Sequence, residues 1–429
     1  MTLSAASIRH RFLVLRVTRW LPTGLIIPVL VLLVVDRGLS LTQVGIASAA
    51  QGVMVLLLEL PTGGFADAFG RRRVLLLANC FNMAAGVLLI FGGSLAWFVA
   101  AWACEGVFRA LESGPLDAWF VDALHAAEGQ PAGEASADTE VERGLRHGGV
   151  ALGLSIAAGA LASGAIVAAA RGAGYDDALV VPFVVALALR LLDSVLIARL
   201  MVEIRPPAGL DTLSRAVREV PAVVASAIRL ALTSSALGLL VAVELTWGFG
   251  MSAFEVLFPV RLADLVGSVG RAGELMGPIA AAAWVASSVG AAIVGWFSGR
   301  LGQIRAAAAM RLLQAATVAA MAFAAGPAGA VAAYLGCYVV HGAANPVHFA
   351  LIHREAVADN RATVLSLNSL MSAASATVGG IVLGSIADAR GPSAGMYVGA
   401  VVLALGAVLY IAAGRARART EPEVAAPVA

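Results

Sequence analysis

Glu244, Trp247, Met251 and Glu255 recur at close to helical spacing in an apolar run that holds no basic residue. A carboxyl group in such surroundings is costly to ionise, which suits it to taking up and releasing a proton. Glu244, near the middle of the run, is the leading candidate for a proton-coupling residue, with Glu255 further along. The reading of equal weight is a salt bridge from Glu244 to Arg109 or Arg190. Trp247, Met251 and Phe254 would supply an apolar cavity wall beside it. In a second apolar run Glu105, Arg109 and Glu112 stand at i, i+4 and i+7 and so share one helix face. In a third, Arg190 and Asp193 are one turn apart, an arrangement that could neutralise itself as a structural ion pair. His341, Asn345 and His348 repeat the i, i+4, i+7 spacing in a fourth, around Pro346. Two histidines seven residues apart give only part of a coordination sphere, so no metal is expected. They are either polar residues packing helices together or cavity-lining and proton-binding positions, with His341 and Asn345 the candidates for the second role. Arg16 and Arg19 share a face with Thr23; Arg16 is near enough to the surface to snorkel, and Arg19 is a weaker cavity candidate. Asn79, Asn82 and Gln314 are expected to bond between helices.

The elements that must hold these groups follow from composition. The chain has 429 residues, 60% of them hydrophobic and 13% charged, and a mean hydropathy of +0.88. Such values lie far outside those of a soluble domain and place most of the chain in lipid. Apolar stretches of about 20 residues, enough to cross a hydrocarbon core of about 30 Å as helices, recur throughout. Twelve spans are predicted near 13–35, 43–61, 73–93, 95–114, 147–170, 178–202, 232–258, 273–298, 305–325, 329–351, 363–386 and 394–413. The first is longer than a secretory signal core and is read as an uncleaved helix.

All 29 basic residues counted as Lys or Arg are arginine. With the N-terminus in the cytoplasm, the inner side gathers most of them, among them Arg9, Arg11, Arg71 to Arg73, Arg143, Arg146, Arg300, Arg305 and Arg415. The outer loops keep Arg37, Arg171, Arg261, Arg271 and Arg390. This asymmetry predicts a multi-pass protein of the cytoplasmic membrane with both termini inside. The net charge of +2 is spread over inner loops and not gathered in a groove with aromatics, which argues against nucleic-acid binding. Cys80, Cys104 and Cys337 are odd in number and form no CxxC, so they read as free thiols.

The sequence also repeats itself. Gly148-Gly149-Val150-Ala151-Leu152-Gly153 matches Gly379-Gly380-Ile381-Val382-Leu383-Gly384, and Gly63, Asp67, Gly70 and Arg73 align with Gly295, Gly299, Gly302 and Arg305. The expected organisation is a six-helix half over 1–202, an amphipathic linker on the inner membrane face over 203–231, a second six-helix half over 232–414 and a cytoplasmic tail over 415–429. Residues 125–146 are expected to form a flexible inner loop. The sharpest local pattern is Gly63-Gly64-Phe65-Ala66-Asp67-Ala68-Phe69-Gly70-Arg71-Arg72-Arg73, which sets an acid, turn-forming glycines and three arginines between the second and third spans.

Twelve spans in two parallel halves, a long central loop and this Gly63, Asp67, Gly70, Arg71, Arg72 loop resemble the major facilitator superfamily over essentially the whole chain. The resemblance implies an all-α polytopic fold of two pseudo-symmetric six-helix halves. It also implies a conformational latch in which Asp67, Arg71 and Arg72 hold the outward-facing state through charge contacts at the cytoplasmic helix ends. In the second copy Gly299 replaces the acid, so that half of the latch is expected to be weaker. The stretch from Phe108 to Trp119 is similar, more loosely, to the fourth-span region of the superfamily. Drug and proton antiporters of the family carry a Gly-Pro pair in the fifth span; here glycines 148, 149, 153, 159 and 164 stand without the proline, a departure from the antiport pattern.

No phosphate-cradling loop with a lysine and no Ser/His/Asp set outside the lipid is present, so neither an enzyme nor a cofactor is expected and the energy must come from a gradient. The leading expectation is a monomeric secondary transporter working by alternating access, coupled to protons or another ion, that exports a small apolar or cationic organic compound. Proton-coupled uptake of a metabolite is the nearest alternative. A membrane sensor or assembly subunit that keeps the fold and moves nothing is the rival from another class.

Overall fold

The computed structural model describes residues 4–58, 62–128, 135–203, 234–356 and 361–420, with a few positions between 218 and 229. Among the described residues every regular element is helical. Before the central segment come α1 (Ala5–Ile26, continued by Leu30–Asp36), α2 (Leu41–Leu58), α3 (Arg71–Phe91), α4 (Leu95–Glu112), α5 (Ala135–Gly172) and α6 (Val181–Leu200). After it come α7 (Ser235–Glu255), α8 (Val269–Leu301), α9 (Gln303–Phe323), α10 (Pro327–Glu355), α11 (Arg361–Arg390) and α12 (Pro392–Thr420). Among the described residues eleven spans are long and apolar enough to cross a membrane. The twelfth, α4, has 18 residues and differs in carrying Glu105, Arg109 and Glu112. The chain is a multi-pass membrane protein.

Two expectations change. The segment 125–146 is largely helix: Pro115–Glu128 forms one, after Gly114 at φ +95°, and α5 starts at Ala135. Alanine is the best helix former, and Glu140 with Arg143 and Glu142 with Arg146 add pairs at i+3 and i+4. Only 129–134 lie outside the described residues, as does most of the expected linker over 203–231. The tail expected from 415 is helical to Thr420, and 421–429 lie outside the description.

By contact the chain separates into Met1–Val220 with Leu262–Trp284, and Pro221–Arg261 with Val285–Ala429. The first half of α8 is thus grouped with the first unit. Its Gly277 lies so close to α5 that an added Cβ would meet Gly164 Cα at 2.6 Å. Arg171 and Arg271 both pair with Glu274 there.

Within each unit, helices close on one another through small residues, as lipid-embedded helices do. A Cβ on Gly24 of α1 would meet the Ile156 carbonyl oxygen of α5 at 2.4 Å, and one on Gly106 of α4 the Gln51 oxygen of α2 at 2.7 Å. In the second unit a Cβ added to Gly248 of α7 would overlap the Ser372 carbonyl oxygen of α11, and one added to Gly290 of α8 the Val339 carbonyl oxygen of α10. Around these seams lie apolar cores, Phe12, Leu15, Leu75, Trp119 and Phe120 in the first unit and Leu240, Val243, Val347 and Leu351 in the second. The duplication is visible locally. Both α3 and α9 have 21 residues, and each follows a glycine in the left-handed region, Gly70 at φ 89° and Gly302 at φ 77°.

Candidate functional site

In the first unit, α1, α3, α4 and α6 bring two arginines and two acids into one interior cluster. Arg19, 2% exposed, donates from Nε to Glu112 Oε2 at 2.6 Å and stands 3.7 Å from Asp193. Asp193 is fully buried and shared: Thr18 Oγ1 donates to it at 2.7 Å, Asn79 Nδ2 at 2.9 Å, and Arg190 Nη1 lies 3.8 Å away. Arg190 also donates from Nε to Asn82 Oδ1 at 2.8 Å and from Nη1 to the Arg19 carbonyl at 3.1 Å. The two guanidinium groups lie 5.3 and 4.9 Å from the Phe108 ring, a placement that spreads charge over an aromatic face. The Arg190 and Asp193 pair expected from spacing is thus one edge of a wider network, and Arg19, the weaker candidate, is at its centre.

Glu105 and Arg109 sit beside this network and line a cavity of about 190 Å³ together with Asn82, Gln51, Thr23 and Trp102. Asn82 Nδ2 donates to Glu105 Oε2 at 2.7 Å. Arg109 is exposed, and among the described residues it makes no ion pair or hydrogen bond.

The second unit holds the other cluster. Glu244, 6% exposed, lies with Oε1 3.2 Å from His348 Nε2 and 3.9 Å from Arg311 Nη2. Ser372 also bonds to it. His348 Nδ1 is 2.7 Å from the Tyr410 hydroxyl and Nε2 3.0 Å from Asn368 Oδ1. Arg311, 1% exposed, donates from Nη1 to Gln314 Oε1 at 2.9 Å and stacks 4.7 Å above the Trp247 ring. Trp247 stacks on His341 at 4.9 Å. Arg311 Nε and Nη2, Gln314 Nε2 and His341 Nδ1 are buried without a hydrogen-bond partner among the described residues. Glu255 is apart from this group: its carboxylate is exposed and accepts from the Tyr338 hydroxyl at 2.6 Å. Met251 and Asn345 are half-buried, and Phe254 is fully buried between Trp247 and Tyr338.

Glu244 is therefore not locally unpaired: within its own unit it lies beside Arg311 and His348. Sequence reading missed Arg311, because a salt bridge between residues far apart in the chain leaves no periodic trace. One signal did point to it: Arg311 and Gln314 follow Gly302 at the same distances as Asn79 and Asn82 follow Gly70, so the duplicated helices present their polar groups at equivalent positions. The two histidines part ways, His348 to Tyr410 and Asn368 and His341 to Trp247. Among the described residues no three His, Cys, Asp or Glu side chains gather as a metal site would need.

At the loop before α3, Gly63 and Asp67 lie in the short helix Thr62–Phe69. Asp67 is exposed and makes no ion pair among the described residues. Arg71 pairs with Asp122. The backbone N–H groups of Arg71 and Arg72 donate to the Glu203 carboxylate at 2.9 and 3.2 Å, placing an anion at the positive end of α3. Gly70 takes φ +89° there, and a Cβ on it would meet Glu203 Cδ at 3.0 Å. Arg16 pairs with Asp117, and Trp119 Nε1 donates to the Val202 carbonyl at 2.8 Å. The helix Pro115–Glu128 thus ties the ends of α1, α3 and α6 together.

A family profile described as Major Facilitator Superfamily matches residues 12–356. No curated protein matches the chain by sequence. Among solved structures the chain is similar to the nucleoside transporter NupG, with 11% identity, 97% of this chain and 100% of that one covered, and a TM-score of 0.73. A bacterial homolog of the human lysosomal transporter Spinster aligns at 14% identity over 97% of this chain and 98% of that one, with a TM-score of 0.74. A bacterial homologue of the human drug peptide transporters PepT1 and PepT2 aligns at 11% identity over 97% and 100%, with a TM-score of 0.70. At these identities the likeness speaks to the fold.

Proposed function

The chain belongs to the major facilitator superfamily, and from that premise we propose that it is a proton-coupled secondary transporter of a small organic solute. It lies in the cytoplasmic membrane with both termini inside, as the arginine asymmetry favours, and exposes its binding region alternately to either side. The observation that carries the coupling is Glu244, a buried carboxylate within 3.2 Å of His348 and 3.9 Å of Arg311. A proton reaching Glu244 removes its charge and with it the attraction to Arg311; loss of the proton restores both. Two charge states with two different partner sets are what a proton-driven conformational cycle needs. Asp67, Arg71 and Arg72 are proposed to take part in the latch, now with Asp122 and Glu203 as the partners of the arginine segment.

Export is the direction carried forward from the sequence and uptake its rival. The ground for an apolar or cationic cargo was an acid without a base, and Arg311 weakens it.

Energised inside-out vesicles with a lumenal pH indicator test the proposal. A compound of a mixed panel should drive protons out of the lumen with the wild type and fail to do so with Glu244→Gln. Wild-type proton efflux that survives Glu244→Gln would remove Glu244 from the coupling step. No response in these vesicles, together with compound-driven proton entry into right-side-out vesicles, would assign uptake. Silence in both orientations, with compound still crossing, would leave facilitated diffusion and overturn proton coupling.

A further inference from the structure

The charges around the cavity of the first unit fall into two groups. Arg19 and Arg190 are matched by Asp193 and Glu112, with Asn79, Thr18 and Asn82 completing their bonds. Two charges lack a direct partner of this kind. Glu105 feels the nearby charges of Arg190 and Arg109, yet it receives one neutral hydrogen bond, from Asn82, and no direct ion pair among the described residues. Arg109, one turn further along α4, receives none. Residues four apart on a helix have Cβ atoms about 5–6 Å from each other, yet Asn82 holds the Glu105 carboxylate toward α3 and the two do not pair. Both line the same cavity. A carboxylate held by one neutral amide and a guanidinium with no direct contact, both open to the cavity, leave room for a solute that brings the complementary charges.

We infer that the cargo is a small zwitterion of the amino-acid type, its ammonium group paired with Glu105 and its carboxylate with Arg109. This rests on the reading of the chain as a transporter and names the class of its solute. A cation alone would leave Arg109 unmatched, and an anion alone would leave Glu105 so. The remaining lining suits the apolar part of such a solute: Trp102, Ile26, Ile27 and Leu30 supply the wall, while Gln51 and Thr23 offer uncharged hydrogen bonds. Size agrees. The cavity, about 190 Å³, is smaller than the roughly 300–1,000 Å³ usual for drug-sized ligands.

The test is binding to the purified full-length protein in detergent, with no gradient present. The twenty common L-amino acids are screened by thermal shift, and the best binder is measured by calorimetry against its two truncated analogues, one lacking the amine and one lacking the carboxylate. The zwitterion should bind at least tenfold more tightly than either analogue. Glu105→Gln should abolish the advantage over the analogue without the amine, and Arg109→Gln the advantage over the analogue without the carboxylate, each in protein that elutes as the wild type does from a sizing column. If a variant does not fold, the analogue series on the wild type still decides. An analogue that binds as well as its parent, a preference unchanged in folded Glu105→Gln and Arg109→Gln, or no binding by any amino acid to folded wild type would each overturn the inference. Because binding needs no proton flux, a failed vesicle assay with retained amino-acid binding would count against proton coupling alone.

Discussion

Arg311 and Glu244 stand 67 positions apart in the chain and 3.9 Å apart in space, and their pairing sets what each can do. Removing one charge of a buried pair leaves the other uncompensated, which costs about 3–5 kcal/mol where it has been measured. Arg311→Met should therefore lower the thermal stability of the detergent-purified protein sharply, and adding Glu244→Gln to it should recover part of the loss. If the single and double variants melt together, the two residues are not coupled. In the first unit Asp193 accepts from two neutral donors and faces two arginines, whereas Glu105 accepts from one amide. Asp193→Asn should accordingly destabilise more than Glu105→Gln in the same melting experiment; the reverse order would place the structural centre of the cluster at Glu105. Most ionisable residues in lipid, Arg311 excepted, were legible one helix at a time, since each is an exception to its surroundings. Their pairing was not, because what joins Arg19 to Glu112, or Glu244 to Arg311, is the packing of separate helices.

Elements were more legible than contacts. Length and apolarity placed most span ends to within about four residues, the starts of α1 and α5 and the end of α12 running further than expected, and the two matching glycine motifs foretold two helices that begin alike. The helix at 135–146 escaped because its stability comes from alanine content and local charge pairs and not from an apolar stripe. The loop before α3 shows the same divide between motif and partner. The resemblance singled out Asp67 as the acidic member of the latch, beside Arg71 and Arg72; in the structure Asp67 is exposed, and Glu203, just past the end of α6, is what meets the first N–H groups of α3. Loss of a helix-capping side chain typically costs about 1 kcal/mol. Glu203→Ala should therefore reduce melting temperature measurably while Asp67→Ala leaves it nearly unchanged. An equal or larger effect at Asp67 would show that it, and not Glu203, secures this end of the helix.

At the scale of the whole molecule, a transporter fold of twelve spans is carried by a chain without a single lysine, and the proposed orientation rests on arginine placement alone. Green fluorescent protein joined after Thr420 should fluoresce, and alkaline phosphatase joined there should be inactive, while phosphatase inserted at Gly174 should be active. The opposite pattern would invert the assigned topology. The glycine seams described above have a consequence for anyone reading this protein through its tolerance of change. At Gly24, Gly106, Gly248 and Gly290 the facing group is a carbonyl of the backbone, which cannot rotate aside as a side chain can. A saturation library scored on growth would therefore report these four positions as depleted of every substitution, as severely as any position that touches solute or proton. Ranked by depletion alone, the map would trace where pairs of helices are locked against sliding. The transport pathway would emerge only after that frame is subtracted, by scoring abundance in the membrane alongside growth.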